Sequence, residues 1–184
     1  MSPGQHIRCR LVTYPNSFFT IFSQPMDAFS EKGWDALYAL NVKALFYVTV
    51  ACLPLLCAAG SQEHPARVVN IGSIAGLRVQ QAPTFSYDSS KAAVHHLTRK
   101  LATDLADKHI TVNAIAPGLV PSRMGDQVLK LVDKDTYEQK YIPLGRVGCA
   151  GDMAGVALYL ASPAARWVTG VVIPVDGGGL LARL

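Results

Sequence analysis

From about residue 30 onward, stretches with helical periodicity alternate with short β-branched runs, and this alternation restricts the fold more than any other feature. Parallel strands need a long crossover connection, usually a helix, so regular alternation predicts an open parallel sheet covered by helices on both faces. The predicted fold class is therefore α/β with three layers. The predicted strands are Arg67–Ile71, Ile110–Ile115 and Val171–Val175, and the predicted helices are Glu31–Ala59, Phe85–Asp107, Asp126–Asp133 and Gly151–Ala161, the last capped by Asp152.

The composition agrees with one compact domain and argues against several classes of partner. Hydrophobic residues make up 50% of the 184 residues and charged residues 16%, which suits a substantial buried core. The formal net charge is +4, but the basic residues are scattered, so the sequence predicts no nucleic-acid binding. The four cysteines and five histidines lack metal-ligand spacing, which predicts no metal site and reduced cysteines in a cytoplasmic protein.

One apolar stretch must be compared with membrane-spanning helices. Ala44–Ala59 is uncharged, but it is 16 residues long and contains Pro54, whereas a spanning helix needs roughly twenty apolar residues. The sequence therefore predicts a helix buried in a core or a subunit interface, and no membrane partner. The amino-terminal residues lack a continuous apolar run and a small-residue cleavage site, so no signal peptide is predicted.

Two residues at helical spacing carry the strongest chemical signal. Tyr87 and Lys91 are four residues apart near the start of a predicted helix, which places their phenol and ammonium groups on one face. A positive charge beside a phenol favours the phenolate, so we expect Lys91 to lower the pKa of Tyr87 and prepare it for proton transfer. Ser73 follows the first predicted strand, at the edge where parallel sheets bind ligands, and its hydroxyl can donate to a substrate carbonyl.

Further motifs extend this pattern in a fixed order along the chain. They are Asn41-Val42, Asn70-Ile71-Gly72-Ser73, Tyr87 with Lys91, Asn113-Ala114-Ile115-Ala116-Pro117-Gly118, Ser122, Ile142-Pro143-Leu144-Gly145-Arg146 and Asp176-Gly177-Gly178. With these motifs, residues 25–184 resemble the short-chain dehydrogenase/reductase family. The resemblance implies that they form the catalytic part of a single Rossmann-like domain.

The resemblance also implies a role for each matching residue. Tyr87 would exchange the proton at the substrate oxygen, Lys91 would lower the pKa of Tyr87 and hold the nicotinamide ribose, and Ser73 would orient the carbonyl. Asn41 would help hold a water relay to Lys91, although Asn41 taken alone is better explained as a helix cap or a satisfied polar residue. The cofactor contacts would come from Tyr87, Lys91, Pro117, Gly118, Val120 and Ser122.

The activity that the resemblance implies is oxidation and reduction at a carbonyl group. The chain would interconvert a ketone, with a 3-oxoacyl group as one candidate, and a secondary alcohol by hydride transfer with NADP or NAD. Its partners would be a small-molecule substrate and further copies of the chain, docked through the helices at residues 31–59 and 85–107. We interpret Asp176-Gly177-Gly178 as a structural turn rather than a ligand site.

The first 24 residues do not resemble the family. The family opens with a strand, a glycine-rich turn and a helix that hold the cofactor pyrophosphate, and we find no such pattern in residues 1–24. The sequence therefore predicts that the amino-terminal half of the sheet is absent, that only the nicotinamide half of the cofactor site remains and that cofactor binding is weak. The strand at Val68 would then lack a neighbour unless Leu11-Val12-Thr13 supplies one. The alternative to an enzyme is a truncated, catalytically silent chain that associates with full-length subunits.

Overall fold

The structure, a computed structural model, describes residues 11–12, 26–80, 82–122, 125 and 134–182. In these residues four parallel strands form one sheet in the order β1-β2-β3-β4. The α/β class and the three predicted strands are thereby confirmed. The strands are β1 (Leu11–Val12), β2 (Ala66–Ile71), β3 (Ile110–Pro117) and β4 (Val172–Val175).

The helices follow the predicted order, with three differences. They are α1 (Glu31–Tyr38), α2 (Ala44–Ala59), α3 (Phe85–Asp104), α4 (Lys134–Tyr141) and α5 (Ala150–Ala161). A π-helical turn at Ala39–Lys43 joins α1 to α2. α3 ends three residues before the predicted Asp107, because a separate 3-10 turn begins at Ala106. The sequence did not predict α4, and the predicted helix Asp126–Asp133 lies outside the described residues.

The strand register brings the ends of the strands to one edge of the sheet. Ile71 at the end of β2 is paired with Ile115, and Pro117 at the end of β3 is paired with Val175 at the end of β4. On the other side of β2, Leu11 pairs with Arg67 and Val12 with Val68. Leu11 and Val12 of the segment proposed as a replacement neighbour for Val68 therefore do pair with β2, and Thr13 lies outside the described residues.

Neighbouring residues of β2 point to opposite faces of the sheet, as the twofold period of a strand requires. Val68 belongs to a cluster formed with α2, α3 and β3, whereas Val69 packs with Ile115, Leu160 and Ala165 beneath α5. The sheet thus lies between α2 and α3 on one face and α5 on the other. This arrangement confirms the predicted three layers.

The π-helical turn at Ala39–Lys43 makes α1 and α2 one continuous helix of 29 residues. Its most apolar part has a mean hydropathy of 2.0, and only 17% of that part is buried, so by length and composition this helix could cross a membrane. The apolar stretch Ala44–Ala59 is itself 16 residues long, and the length of 29 residues arises because α1 continues into it. Exposed apolar side chains lie along α2; they are Phe46, Tyr47, Val48, Val50 and Leu55.

Candidate active site

Ser73 lies just beyond the end of β2 and is 8% exposed. Its backbone is extended, and its Oγ accepts a hydrogen bond of 3.2 Å from the Ala75 N–H, which caps the 3-10 turn Ile74–Gly76. This turn packs directly on α3, where a Cβ at Gly76 would stand 2.5 Å from the carbonyl carbon of Lys91. The close approach that glycine permits therefore brings Ser73 to the start of α3.

Tyr87 and Lys91 are both buried in the first turns of α3, with 7% and 2% of their surface exposed. The Lys91 Nζ stands 5.7 Å from the centroid of the Tyr87 ring and donates a hydrogen bond of 3.0 Å to the carbonyl oxygen of Ile71. The Ser73 side chain is close enough to the Tyr87 phenol to lower its pKa. The structure thus brings together the phenol, the ammonium and the hydroxyl that the sequence singled out.

The electrostatics of Tyr87 differ from the sequence expectation. Burial raises the pKa of Tyr87, the hydrogen bond to Ser73 opposes that rise, and the negative charge of Asp88 adds to it. The predicted lowering of this pKa is therefore wrong, because desolvation of the phenolate is the largest influence on it. Burial also lowers the pKa of Lys91 to about 8, since a charged ammonium loses its hydration in this environment.

Asn41 lies in the π-helical turn between α1 and α2. Its Nδ2 donates a hydrogen bond of 3.0 Å to Ser90 Oγ, which donates one of 2.8 Å to the backbone carbonyl of Tyr87. The Ala44 N–H reaches back five residues to the carbonyl of Ala39, so the regular pattern of the helix is interrupted here. Turns of this kind are often found at functional sites, and no spacing in the sequence indicated this one.

Pro117 and Gly118 lie at the end of β3, directly beside the turn that follows β4. A Cβ at Gly118 would stand 2.8 Å from Asp176 Cα, and the Gly118 N–H donates to the carbonyl of Val175 at 2.9 Å. The two carboxylate oxygens of Asp176 accept hydrogen bonds from the backbone N–H groups of Gly178 and Leu180 at 3.0 and 2.7 Å. This pattern confirms that Asp176-Gly177-Gly178 forms a structural turn.

Val120 and Ser122 continue the chain along the same edge. Ser122 is exposed, and its Oγ accepts a hydrogen bond of 3.0 Å from the Gly125 N–H. A Cβ at Gly148 would stand 3.1 Å from a methyl group of Val120. The predicted cofactor residues at positions 117–122 therefore lie at and just after the end of β3, while Ser73, Tyr87 and Lys91 gather at the neighbouring end of β2.

Two residues at this edge were missed by the sequence analysis. Arg78 donates a hydrogen bond of 2.7 Å from Nη1 to the carbonyl of Gly179, which ties the segment after Ser73 to the turn after β4. His95 is 1% exposed, and its Nε2 accepts the Ser73 N–H at 3.4 Å. Helical spacing could have indicated His95, because it follows Lys91 by four residues on the same face of α3.

Comparison with known proteins identifies the family to which the chain belongs. The family model described as enoyl-(acyl carrier protein) reductase matches residues 15–179. The chain belongs to the short-chain dehydrogenase/reductase family. A curated relative, the rhamnolipids biosynthesis 3-oxoacyl-[acyl-carrier-protein] reductase of Pseudomonas aeruginosa, is 40% identical over 172 residues. The galactitol 2-dehydrogenase (L-tagatose-forming) of Cereibacter sphaeroides is 39% identical over 150 residues.

Solved structures of short-chain dehydrogenases/reductases share the fold. The Pseudomonas aeruginosa RhlG/NADP active-site complex superposes with a TM-score of 0.80 at 41% identity over 88% of this chain. The gluconate 5-dehydrogenase of Burkholderia cenocepacia, in complex with NADP and tartrate, gives a TM-score of 0.80 at 29% identity over 88% of this chain. These neighbours confirm a Rossmann-like arrangement.

The chain is shorter than these short-chain dehydrogenases/reductases. Its matches cover 94% and 79% of its own residues, but 67% of the first curated relative and 56% of the second. They cover 63% and 61% of the two solved chains.

Proposed function

We propose that this protein is an NADP(H)-dependent oxidoreductase that interconverts a ketone and a secondary alcohol. The observation that carries the proposal is the meeting of Ser73, Tyr87 and Lys91 at the end of β2. Relatives with 40% and 39% identity are a 3-oxoacyl reductase and a sugar-alcohol dehydrogenase, which both act at such a group.

In the direction of reduction, Tyr87 acts as the general acid. As negative charge develops on the substrate oxygen, the Tyr87 O–H donates its proton there, and the Ser73 hydroxyl donates a second hydrogen bond that orients the carbonyl. Burial raises the pKa of Tyr87, so the phenol keeps its proton at neutral pH until the substrate takes it. Lys91, with its pKa lowered to about 8 by burial, can return a proton to the phenolate after each turnover.

The residues at the ends of β2 and β3 fit the nicotinamide half of a dinucleotide. When bound, the dinucleotide supplies the hydride that adds to the carbonyl carbon. The buried amine of Lys91 is a hydrogen-bond donor suited to ribose hydroxyls, and Tyr87 lies beside it. Backbone at Pro117, Gly118 and Val120 would hold the carboxamide, and the exposed Ser122 hydroxyl, which accepts from Gly125, retains its own proton for donation to the same group.

Asn41 supports the start of α3 in this proposal. Its hydrogen bond to Ser90 connects the π-helical turn to the backbone carbonyl of Tyr87. We assign Asn41 to a water relay that leads to Lys91, because an interrupted helical pattern leaves backbone carbonyl groups available to accept from water.

We propose NADP(H) as the cofactor and a 3-oxoacyl thioester as the substrate. The solved relatives named above are NADP complexes, and the Pseudomonas aeruginosa relative is a 3-oxoacyl-[acyl-carrier-protein] reductase. We place the reaction in the cytoplasm, where thiols remain reduced, because Cys52, Cys57 and Cys149 are free.

We also propose that a second copy of the chain covers the apolar surface of α2. Phe46 and Val50 lie about one helical turn apart on α2 and are 39% and 46% exposed, and Leu55 is 58% exposed. Self-association through a twofold axis would bury the same surface on both subunits.

The test is NADPH oxidation in the presence of a 3-oxoacyl thioester. Because the relatives are longer, the assay uses the chain itself and, in parallel, its fusion to the part of the Pseudomonas aeruginosa relative that it does not span. Tyr87→Phe should lower kcat by roughly a hundred- to ten-thousandfold, the usual contribution of a general acid. Tyr159→Phe, at a tyrosine that is 42% exposed on α5, is the matched control and should leave kcat unchanged. A Tyr87→Phe protein that retains most of its kcat would refute the proposal.

A further inference from the structure

His95 shares the inner face of α3 with the two residues proposed for proton transfer. It lies four residues after Lys91 and eight after Tyr87, so the three side chains follow one another along the helix. Only 1% of its surface is exposed, and the proton-transfer steps described above do not use it. A buried imidazole beside a site of acid–base chemistry requires an explanation.

The imidazole ring is in direct contact with the segment that carries Ser73. The Ser73 N–H donates to Nε2 at 3.4 Å, and a Cβ on Gly72 would stand 2.1 Å from the same nitrogen. Since Nε2 accepts, the neutral ring must carry its proton on Nδ1.

Polar contacts at three positions of α3 hold the end of β2. Thr98 Oγ1 accepts from the side chain of Asn70 at 2.9 Å, and Lys91 donates to the carbonyl of Ile71. His95 lies between them along the helix and reaches Ser73 itself. The contacts at Thr98 and Lys91 hold the strand, whereas the contact at His95 holds the backbone of the residue whose hydroxyl meets the substrate.

We propose that His95 is a positioning residue, which accepts the Ser73 N–H at Nε2 and thereby orients the Ser73 hydroxyl toward Tyr87 and the substrate oxygen. The inference rests on the proposed function, because it assigns Ser73 to the substrate carbonyl. It requires a neutral imidazole, since a protonated ring has two donors and cannot accept from Ser73.

The surroundings of the ring favour the neutral form. Burial lowers the pKa of His95, and the positive charges of Arg99 and Lys91 lower it further, while the backbone of Gly76 acts in the opposite direction. At Gly72 and Ser73 the ring contacts backbone groups, which carry no charge. The neutral ring can accept the Ser73 N–H at Nε2.

Three variants separate positioning from packing. In His95→Gln the side-chain carbonyl can take the place of Nε2, in His95→Leu a side chain of similar length lacks an acceptor, and in His95→Asn the carbonyl is too short to reach Ser73. We expect His95→Leu and His95→Asn to lower kcat for carbonyl reduction by roughly ten- to a hundredfold with little change in KM, the range typical of a misplaced group. His95→Gln should restore most of kcat even if its thermal stability is no higher than that of the other two.

A double-mutant cycle tests whether His95 acts through Ser73. In a Ser73→Ala background, His95→Leu should cause no further loss of kcat, because the hydroxyl that it positions is gone. Equal losses in both backgrounds, or a His95→Leu protein with the original kcat, would overturn the inference. If Tyr87→Phe also retained activity, the proposed function itself would have failed, and kinetics would no longer bear on His95.

A measurement without catalysis then decides the matter. ¹⁵N NMR of the histidine rings in the unaltered chain at neutral pH should show His95 with its proton on Nδ1 and an unprotonated Nε2. The Ser73 amide should exchange with solvent faster in His95→Leu than in His95→Gln. A proton found on Nε2 would rule out the contact whether or not the chain is active.

Discussion

Lys91 donates its hydrogen bond to Ile71 across the boundary between α3 and β2, with its Nζ 3.0 Å from the carbonyl oxygen. The contact fixes the helix that carries Tyr87 against the strand that leads to Ser73. It also holds an ammonium group in a position where only 2% of the residue is exposed. A charge so deeply buried costs stability, and that cost depends on pH.

Lys91→Met should reveal this cost in the pH dependence of stability. Burial lowers the pKa of Lys91 to about 8 in the folded chain, from an ordinary lysine value of 10.5. Between pH 8 and 10.5 the unfolded chain therefore binds more protons than the folded chain, and folding becomes more favourable as the pH rises. Below pH 8 both states are protonated and the full cost applies. Relative to that of Lys91→Met, the free energy of unfolding of the unaltered protein should therefore rise by up to about 3 kcal/mol between pH 7 and 10.5.

Denaturant unfolding at several pH values measures this difference. Lys100→Met is the matched control, since Lys100 lies on the same helix with 62% of its side chain exposed. The difference in free energy of unfolding between Lys100→Met and the unaltered protein should stay nearly constant across this pH range. A constant difference for Lys91→Met as well would mean that burial does not depress the pKa of Lys91.

Asp88→Asn should shift the pH profile of alcohol oxidation toward lower pH. Oxidation requires the Tyr87 phenolate, and the negative charge of Asp88 is one of the causes that raise the pKa of Tyr87. Asparagine keeps an oxygen that can accept the hydrogen bond of 2.8 Å from Thr84 Oγ1, so the start of α3 is preserved. Asp104→Asn, at the far end of α3, should leave the profile unchanged. An unshifted profile in Asp88→Asn would exclude this electrostatic contribution.

Gly72→Ala should destabilise the fold by roughly 1–3 kcal/mol, the usual cost of overpacking. The new Cβ would stand 2.1 Å from His95 Nε2 and 3.3 Å from the carbonyl oxygen of Ile115, so the imidazole ring must move. Gly155→Ala is the matched control, because nothing lies within 4 Å of a Cβ at that position of α5. It should stabilise the helix by up to about 1 kcal/mol. Thermal or denaturant unfolding of both variants gives the comparison, and equal stabilities would contradict the close contact.

Phe46→Lys and Val50→Lys should convert an assembled protein into monomers. Both side chains are partly exposed on α2 in the single chain, and a charge at an apolar interface cannot be hydrated there. Light scattering measures the molar mass. Val79→Lys, at a residue that is 83% exposed outside the helices, should leave the assembly intact. A monomeric unaltered protein would show that α2 is not a subunit interface.

The sequence alone determined the features that depend on local spacing. Helical patterns alternate with the short β-branched runs around Val68, Val112 and Ile173, and this alternation predicted a parallel sheet because parallel strands need helical crossover connections. The spacing of Tyr87 and Lys91 placed both on one face of α3, because the helical period is a property of the backbone.

The tertiary structure decided the features that depend on residues packed together from different helices and strands. The pKa of Tyr87 is raised although Lys91 is near, because desolvation is a sum over everything packed around the phenol, and neighbouring residues in sequence supply only part of that sum. The contact of His95 with Ser73 joins residues 22 positions apart, and it exists because the sheet register and the close approach at Gly72 set the end of β2 against α3. The π-helical turn at Asn41 likewise left no pattern in the sequence. Its backbone N–H groups donate to carbonyls five residues back instead of four, and the side-chain spacing shows no sign of this change.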